Sequence, residues 1–149
     1  MSIPVQDKVF LDTNILVYLS NEDSSFYQDA TRTFEKLAGE YELWVSRQVL
    51  REYAVIMTRQ DIIEKPLSST EVATDIEKWQ SIFQIADETE EVTKILLDLI
   101  KTYNIKGKKI HDANIVATML VNGINLLYSF NSDDFVRFEE IKLFVSEKD

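Results

Sequence analysis

The chain has 149 residues, of which 45% are hydrophobic and 28% are charged, as expected of one globular domain spanning residues 1–149. It has no cysteine, one histidine and a formal net charge of −10, which excludes disulfides and thiolate zinc sites and disfavours nonspecific binding of nucleic acid. No basic leader is present and no apolar run approaches the roughly 20 residues that span a bilayer, so we expect a cytoplasmic protein without a membrane partner.

Apolar residues in the first half of the chain are spaced as in alternating strands and helices. The first apolar run predicts a short buried strand at residues 9–12, and a helix follows at about residues 14–20. A second helix is predicted from five apolar residues at helical spacing, and Gly39 is placed to end it. A second strand is predicted at residues 41–45, and Ser46 is positioned to cap a third helix. The five residues of the second helix are Phe26, Ala30, Phe34, Leu37 and Ala38.

The second half of the chain predicts three more helices and up to three more strands. Residues 68–71, with the sequence SSTE, form a capping box and open one helix, whose end competes with a strand near residues 82–86. Thr89 is placed to cap the next helix, and Asp112 is placed to begin the last one. The remaining strands are expected at residues 126–130 and 141–145, the latter at an edge of the sheet.

Strands that alternate with helices favour a parallel sheet that is covered by helices on both faces. Ligands of such sheets bind beyond the carboxyl ends of the strands, where the strand order reverses. Asp12 follows three apolar residues at the end of the first predicted strand, which is the position expected of a site residue.

Three further acidic residues lie at comparable junctions: Glu52 near the start of the third helix, Asp112 at the last helix and Asp134 after the strand LLYSF. Each one alone is explained by helix capping or by a partly exposed side chain. If the carboxylates converge, however, two of them about 4 Å apart repel each other by about 4 kcal/mol at an effective dielectric constant of about 20. A divalent cation relieves this repulsion, and an oxygen-only site suits Mg²⁺ or Mn²⁺ and the hydrolysis of phosphodiesters.

Small polar residues lie close in sequence to these acids. Their side chains are able to hold carboxylates and metal-bound waters in place. Each of them alone is also explained by helix capping or turn formation. These residues are Thr13, Asn14, Ser46, Ser129 and Asn131.

Four segments resemble the motif blocks of PIN-domain nucleases, most closely those of the VapC-like toxins of bacterial toxin–antitoxin pairs. The segments are FLDTNILVY, VSRQVLREY, KIHDANIVATML and LLYSFNSDDF, in that order and over nearly the whole chain. The resemblance implies a three-layer α/β/α fold, with a central parallel sheet of four to five strands in the order 3-2-1-4-5.

The same resemblance implies an endoribonuclease that depends on Mg²⁺ or Mn²⁺ and is the toxin of a toxin–antitoxin pair. By position, Asp12, Glu52 and Asp112 become the catalytic, metal-binding acids. The fourth position stays open, because the neutral Asn131 and the acidic Asp134 each match part of the family pattern. An asparagine there leaves open whether a second metal binds tightly without substrate.

The resemblance also implies an RNA substrate and protein partners. Arg47 and Arg51, on the helix of Glu52, and the lysines of KTYNIKGKKIHD are placed to bind the RNA backbone, although such lysines also suit a solvated loop. Toxins of this kind are silenced by a small antitoxin that occupies the site, and they commonly form homodimers. The lysines are Lys106, Lys108 and Lys109.

Two other classes of function compete with the nuclease. A catalytically weak PIN-like module that acts through a protein or RNA partner is favoured by the neutral Asn131 and by the negative net charge. A phosphotransfer enzyme with Asp12 as the phosphoryl acceptor needs, in the haloacid-dehalogenase pattern, a second aspartate two residues later. The chain has Asn14 at that position, which disfavours this alternative.

Overall fold

A parallel sheet of five strands organises the computed structural model, which describes residues 7–146. The strand order is β3-β2-β1-β4-β5, and it confirms the predicted α/β/α sheet and its 3-2-1-4-5 order. The strands are β1 (Lys8–Leu11), β2 (Glu42–Ser46), β3 (Gln84–Ala86), β4 (Leu126–Tyr128) and β5 (Lys142–Leu143). The helices are α1 (Thr13–Ser20), α2 (Tyr27–Glu40), α3 (Arg47–Met57), α4 (Ser69–Ile82), α5 (Glu90–Tyr103) and α6 (Lys109–Val121), and a 3-10 helix covers Ser132–Asp134.

β1 occupies the centre of the sheet and lies wholly in the core. Its residues Val9, Phe10 and Leu11 have no exposed surface, as a strand covered by helices on both faces requires. β1 pairs in parallel with β2 on one side and with β4 on the other. The strand order therefore reverses at β1, and a crevice opens where the carboxyl ends of β1 and β4 lie side by side.

Hydrogen-bonded caps start two of the helices as the sequence predicted. The Ser46 hydroxyl accepts a hydrogen bond from the Val49 backbone N–H at the start of α3, and the capping box at Ser68 and Glu71 opens α4. Thr89 occupies the capping position of α5, but its side chain makes no capping hydrogen bond. The competition at the end of α4 is resolved by residue 83, which is extended, so that β3 follows immediately.

Two predicted helix boundaries are wrong. Gly39 lies inside α2, which continues to Glu40 and ends at Tyr41, an extended residue whose N–H donates to the Leu37 carbonyl. The helix therefore ends without the left-handed residue that glycine would supply. α6 begins at Lys109 and not at Asp112, so the aspartate lies within the first turn, where it favours the helix dipole.

Helix-to-helix packing surrounds the sheet and completes the core. α1 packs against α2 and α3, α3 packs against α4, and α5 packs against α6. Within residues 7–146, every helix is too short or too polar to cross a lipid bilayer.

Alanine substitutions at Gly39 and Gly123 should change the free energy of unfolding in opposite directions, because the two glycines have different backbone conformations. A Cβ added at Gly39 meets no atom of the described residues within 4 Å, whereas Gly123 has a φ of +69° in the turn before β4. We expect Gly39→Ala to raise the free energy of unfolding by about 0.5 kcal/mol, because alanine restricts the unfolded chain and favours the helix. Gly123→Ala should lower it by about 1 kcal/mol, because a left-handed alanine is strained. Urea denaturation of both variants measures these changes. If Gly39→Ala lowered the free energy of unfolding, the result would support a helix that ends at Gly39.

Candidate active site

A cleft of about 590 Å³ opens at the carboxyl ends of β1 and β4. All four acidic residues singled out from the sequence line it, although they come from segments that are far apart in the chain. The acids are Asp12, Glu52, Asp112 and Asp134.

Asp12 is held at the end of β1 by two hydrogen-bond donors. Its Oδ1 accepts from the Thr13 backbone N–H at 2.8 Å, which caps α1, and its Oδ2 accepts from the Ser129 hydroxyl at 2.7 Å. Burial raises the pKa of Asp12, the two hydrogen bonds oppose that rise, and repulsion from Glu52 and Asp134 adds to it. The buried carboxylate is thus well oriented but incompletely neutralised.

Glu52 is held at both of its carboxylate oxygens. The Thr13 hydroxyl donates to Oε1 at 2.7 Å, and the Gln48 amide nitrogen donates to Oε2 at 3.1 Å. These two donors come from different helices, α1 and α3, so the position of the carboxylate depends on how the helices pack. Glu52 therefore faces the cleft in a defined orientation rather than extending freely into water.

Asp112 carries the clearest electrostatic sign of a shared site. Burial raises its pKa to about 6, and repulsion from Asp134, Asp12 and Glu52 contributes in that order, while His111 opposes the rise. Since each of the other three acids acts on Asp112, the four carboxylates form one electrostatic group across the cleft.

The fit of this group to a metal ion depends on the spacing of the acids. In the part of the chain that the structure describes, no three His, Asp or Glu side chains lie close enough to form a ready-made metal cage. The mutual repulsion at Asp12 and Asp112 nevertheless shows that negative charge is left uncompensated. Both observations fit an ion that is held by one or two carboxylates and otherwise by water and substrate oxygens, as Mg²⁺ commonly is.

The small polar residues take several different positions. Asn14 lines the cleft, and its Oδ1 accepts from the Phe130 backbone N–H at 3.3 Å, while its buried Nδ2 has no hydrogen-bond partner among residues 7–146. The exposed Asn131 also lines the cleft, and its backbone N–H donates to the Ser129 hydroxyl at 2.9 Å. Ser129 thereby connects the segment after β4 to Asp12, whereas Ser46 is buried at the start of α3 and caps that helix.

The predicted basic residues differ in their position relative to the cleft and in their pairing. Arg51 lines the cleft and forms an ion pair of 3.2 Å with Glu88, and Arg47 forms one of 2.9 Å with Asp87. Exposed pairs of this kind are worth about 0–1 kcal/mol, so a phosphate group is able to displace them. The three predicted lysines are exposed in the segment that leads into α6 and in its first residue: Lys106, Lys108 and Lys109.

Two polar residues of the site, Gln48 and Asn114, were not predicted from the sequence. Gln48 lies one helical turn before Glu52, and this spacing places both residues on one face of α3. That signal was available, but the contact from Asn114 on α6 to Gln48 at 2.8 Å is long-range and leaves no local pattern. The cleft also has an apolar wall at Val55 and Ile56.

Comparisons with known proteins agree with this geometry. The sequence profile described as the PIN domain matches residues 9–141. Ribonuclease VapC24 of Mycobacterium tuberculosis is 25% identical over 129 residues, which cover 86% of this chain and 89% of that protein. The structure of VapC20 from the same species, a sarcin-ricin loop cleaving toxin, has a TM-score of 0.66 at 18% identity, covering 87% of this chain and 95% of that one. A toxin–antitoxin complex from Klebsiella pneumoniae has a TM-score of 0.65 at 20% identity, covering 93% and 97%.

Replacing Asp112 tests the repulsion directly. Because the pKa of Asp112 is raised to about 6, its ionisation disfavours the folded protein. The cost grows as the pH rises through the unfolded pKa near 4, because the unfolded chain ionises first, and it is complete above about pH 6. For this half-exposed group we expect Asp112→Asn to stabilise the metal-free protein by about 1 kcal/mol at pH 7.5, or about 3 °C in Tm, and by much less at pH 4.

Thermal denaturation in EDTA at both pH values measures this effect. Asp98→Asn, at an exposed position on α5, is the matched control and should leave Tm unchanged. A destabilising Asp112→Asn at pH 7.5 would contradict the shared electrostatic group.

Proposed function

We propose that this chain, which belongs to the PIN-domain family, is a metal-dependent endoribonuclease that hydrolyses RNA phosphodiester bonds. The observation that carries the proposal is the gathering of four acids at the switch point of a parallel sheet. The similarity to Ribonuclease VapC24 supports RNA as the substrate. The similarity to a toxin and to a toxin–antitoxin complex supports the role of a toxin that is held by an antitoxin protein.

Asp12 and Asp112 would hold the metal, Mg²⁺ or Mn²⁺, with Asp134 or Asn131 completing the set. Their donor atoms are all oxygens, which suit a hard divalent cation. When bound, such an ion polarises the phosphate and lowers the pKa of its water. The chain's own contribution is to keep the Asp12 carboxylate oriented through Thr13 and Ser129.

Glu52 is suited to a different task, because both of its oxygens are already oriented by Thr13 and Gln48. Each carboxylate oxygen still has a free lone pair, so Glu52 is able to help hold the metal or to accept a hydrogen bond from the attacking water. A fixed carboxylate orients that water towards phosphorus at little entropic cost.

The RNA backbone would be bound by the basic residues around the cleft. Arg47 and Arg51 exchange their acidic partners for phosphates, and Lys106, Lys108 and Lys109 extend the basic surface. A homodimer, a cytoplasmic location and a single nuclease domain over residues 1–149 stay predictions.

A catalytically weak binding module is the second candidate. It is favoured by the lack of a ready-made three-residue cage within residues 7–146 and by the pairing of both arginines with acids. In that case the cleft would bind RNA or a protein without hydrolysis.

Cleavage assays on purified protein separate the two functions. With Mn²⁺ and a single-stranded RNA, we expect Asp12→Asn and Asp112→Asn to lower the rate at least about 100-fold, because metal contacts supply several kcal/mol of transition-state stabilisation. Asp133→Asn, at an exposed neighbour of Asp134, is the matched control and should cleave like the wild type. Comparing Asp134→Asn with Asn131→Ala identifies the fourth site residue. RNA binding by the wild type without cleavage would favour the binding module.

Metal binding is measurable without RNA. Mn²⁺ at about ten times its Kd should stabilise the wild type by about 1.4 kcal/mol, or about 4 °C, by mass action. The same titration should leave the Tm of Asp12→Asn unchanged. A wild-type Tm that does not respond to millimolar Mn²⁺ would count against a preformed metal site.

A further inference from the structure

Gln48 is a buried polar residue at the centre of the site. Its side chain is 4% exposed on the first turn of α3. The amide nitrogen donates to Glu52 Oε2 at 3.1 Å and to the His111 backbone carbonyl at 3.0 Å. The amide oxygen accepts from Asn114 Nδ2 at 2.8 Å. Both amide hydrogens and the oxygen of Gln48 are therefore used inside the protein.

The orientation of the Gln48 amide is determined by its partners. A carboxylate and a backbone carbonyl only accept hydrogen bonds, so the nitrogen of Gln48 must face Glu52 and His111. The oxygen must then face a donor, and the Asn114 amide provides one. Asn114 thus selects the orientation in which Gln48 holds Glu52.

These contacts connect the two helices that carry acids of the site. α3 provides Gln48 and Glu52, and α6 provides His111, Asn114 and, directly after His111, Asp112. Thr13, which follows Asp12, holds the other oxygen of Glu52. The hydrogen bonds therefore run from the end of β1 through Glu52 and Gln48 to the first turn of α6.

We propose that Gln48 is a positioning residue for phosphodiester hydrolysis, which sets the Glu52 carboxylate relative to the first turn of α6 and hence to Asp112. The inference rests on the proposed nuclease function. Gln48 acts through its neighbours and not on the substrate. Displacing a catalytic group by about 1 Å can cost about 100-fold in rate, so a residue that fixes two acids has a large effect on turnover.

If Gln48 had a purely structural role, the loss of kcat would follow the loss of Tm. Paired substitutions distinguish that role from a positioning role. Gln48→Met keeps the length of the side chain but leaves the Asn114 amide without its partner, which should lower Tm. In the double variant Gln48→Met/Asn114→Leu both partners of that one hydrogen bond are apolar, and replacing both partners is nearly neutral for stability. The His111 carbonyl and Glu52 still lack their donor in both variants. The matched control is Thr118→Val, which removes a buried hydrogen bond of 2.8 Å to the Asn114 carbonyl further along α6.

We expect Gln48→Met to lower kcat by about 10- to 100-fold with little change in KM. It should also raise by about tenfold the Mn²⁺ concentration that is needed for a given thermal shift. The double variant should recover part of the lost Tm but none of the lost kcat. Thr118→Val should lose Tm and keep kcat. Asn114→Asp adds an independent test, because aspartate cannot donate to Gln48 and instead places an acceptor against its amide oxygen. The Gln48 amide is then displaced from Glu52, and kcat should again fall by about tenfold or more.

A double variant with wild-type kcat and a wild-type Mn²⁺ response would overturn the role of Gln48 and leave the nuclease function intact. The role of Gln48 would also be overturned if Thr118→Val and Gln48→Met lost kcat in the same proportion to their loss of Tm. If the wild type binds Mn²⁺ but does not cleave RNA, the nuclease function fails, and the Mn²⁺ response of Gln48→Met then decides the role of Gln48. A wild type that neither binds Mn²⁺ nor cleaves RNA overturns both.

Discussion

The position of a buried carboxylate at the end of the central strand is the constraint on which this site depends. Burying an ionised group costs several kcal/mol unless hydrogen-bond donors compensate for the lost water. Asp12 receives one donor from the start of α1 and one from Ser129, in the segment after β4. Ser129 reaches Asp12 because β4 pairs with β1, so the strand order and the orientation of Asp12 depend on the same contact.

Those donors orient Asp12, but they do not neutralise the negative charge of the four acids in the cleft. Asp112 is under repulsion from three other acids, although no three acidic or histidine side chains within residues 7–146 form a metal cage. The two findings are compatible, because electrostatic coupling acts over longer distances than metal coordination. The acids are therefore coupled electrostatically without forming a closed set of metal ligands. Perturbed carboxylates in a cleft, retained at a cost to stability, are typical of functional sites.

The sequence predicted the four acids because each lies beside an element whose periodicity is clear. A strand end or a helix start can be located locally, and a parallel sheet brings such ends to one edge. It did not predict the role of Gln48, because that role depends on Asn114, 66 residues away on another helix. The end of α2 was misplaced for a related reason. Gly39 permits a helix to end, but packing and the hydrogen bond from Tyr41 to Leu37 carry the helix one residue further.

The negative net charge of −10 limits how this protein can bind RNA. Long-range attraction to phosphates is weak for such a chain, and both arginines of α3, Arg47 and Arg51, are already paired with acids. Exchanging an exposed ion pair for a phosphate contact is nearly neutral in free energy, so in the proposed function these arginines would orient RNA more than they attract it. Catalysis must then depend on the geometry of the cleft. For that reason the hydrogen bonds that fix Glu52 and the first turn of α6 matter more than the number of basic residues around them.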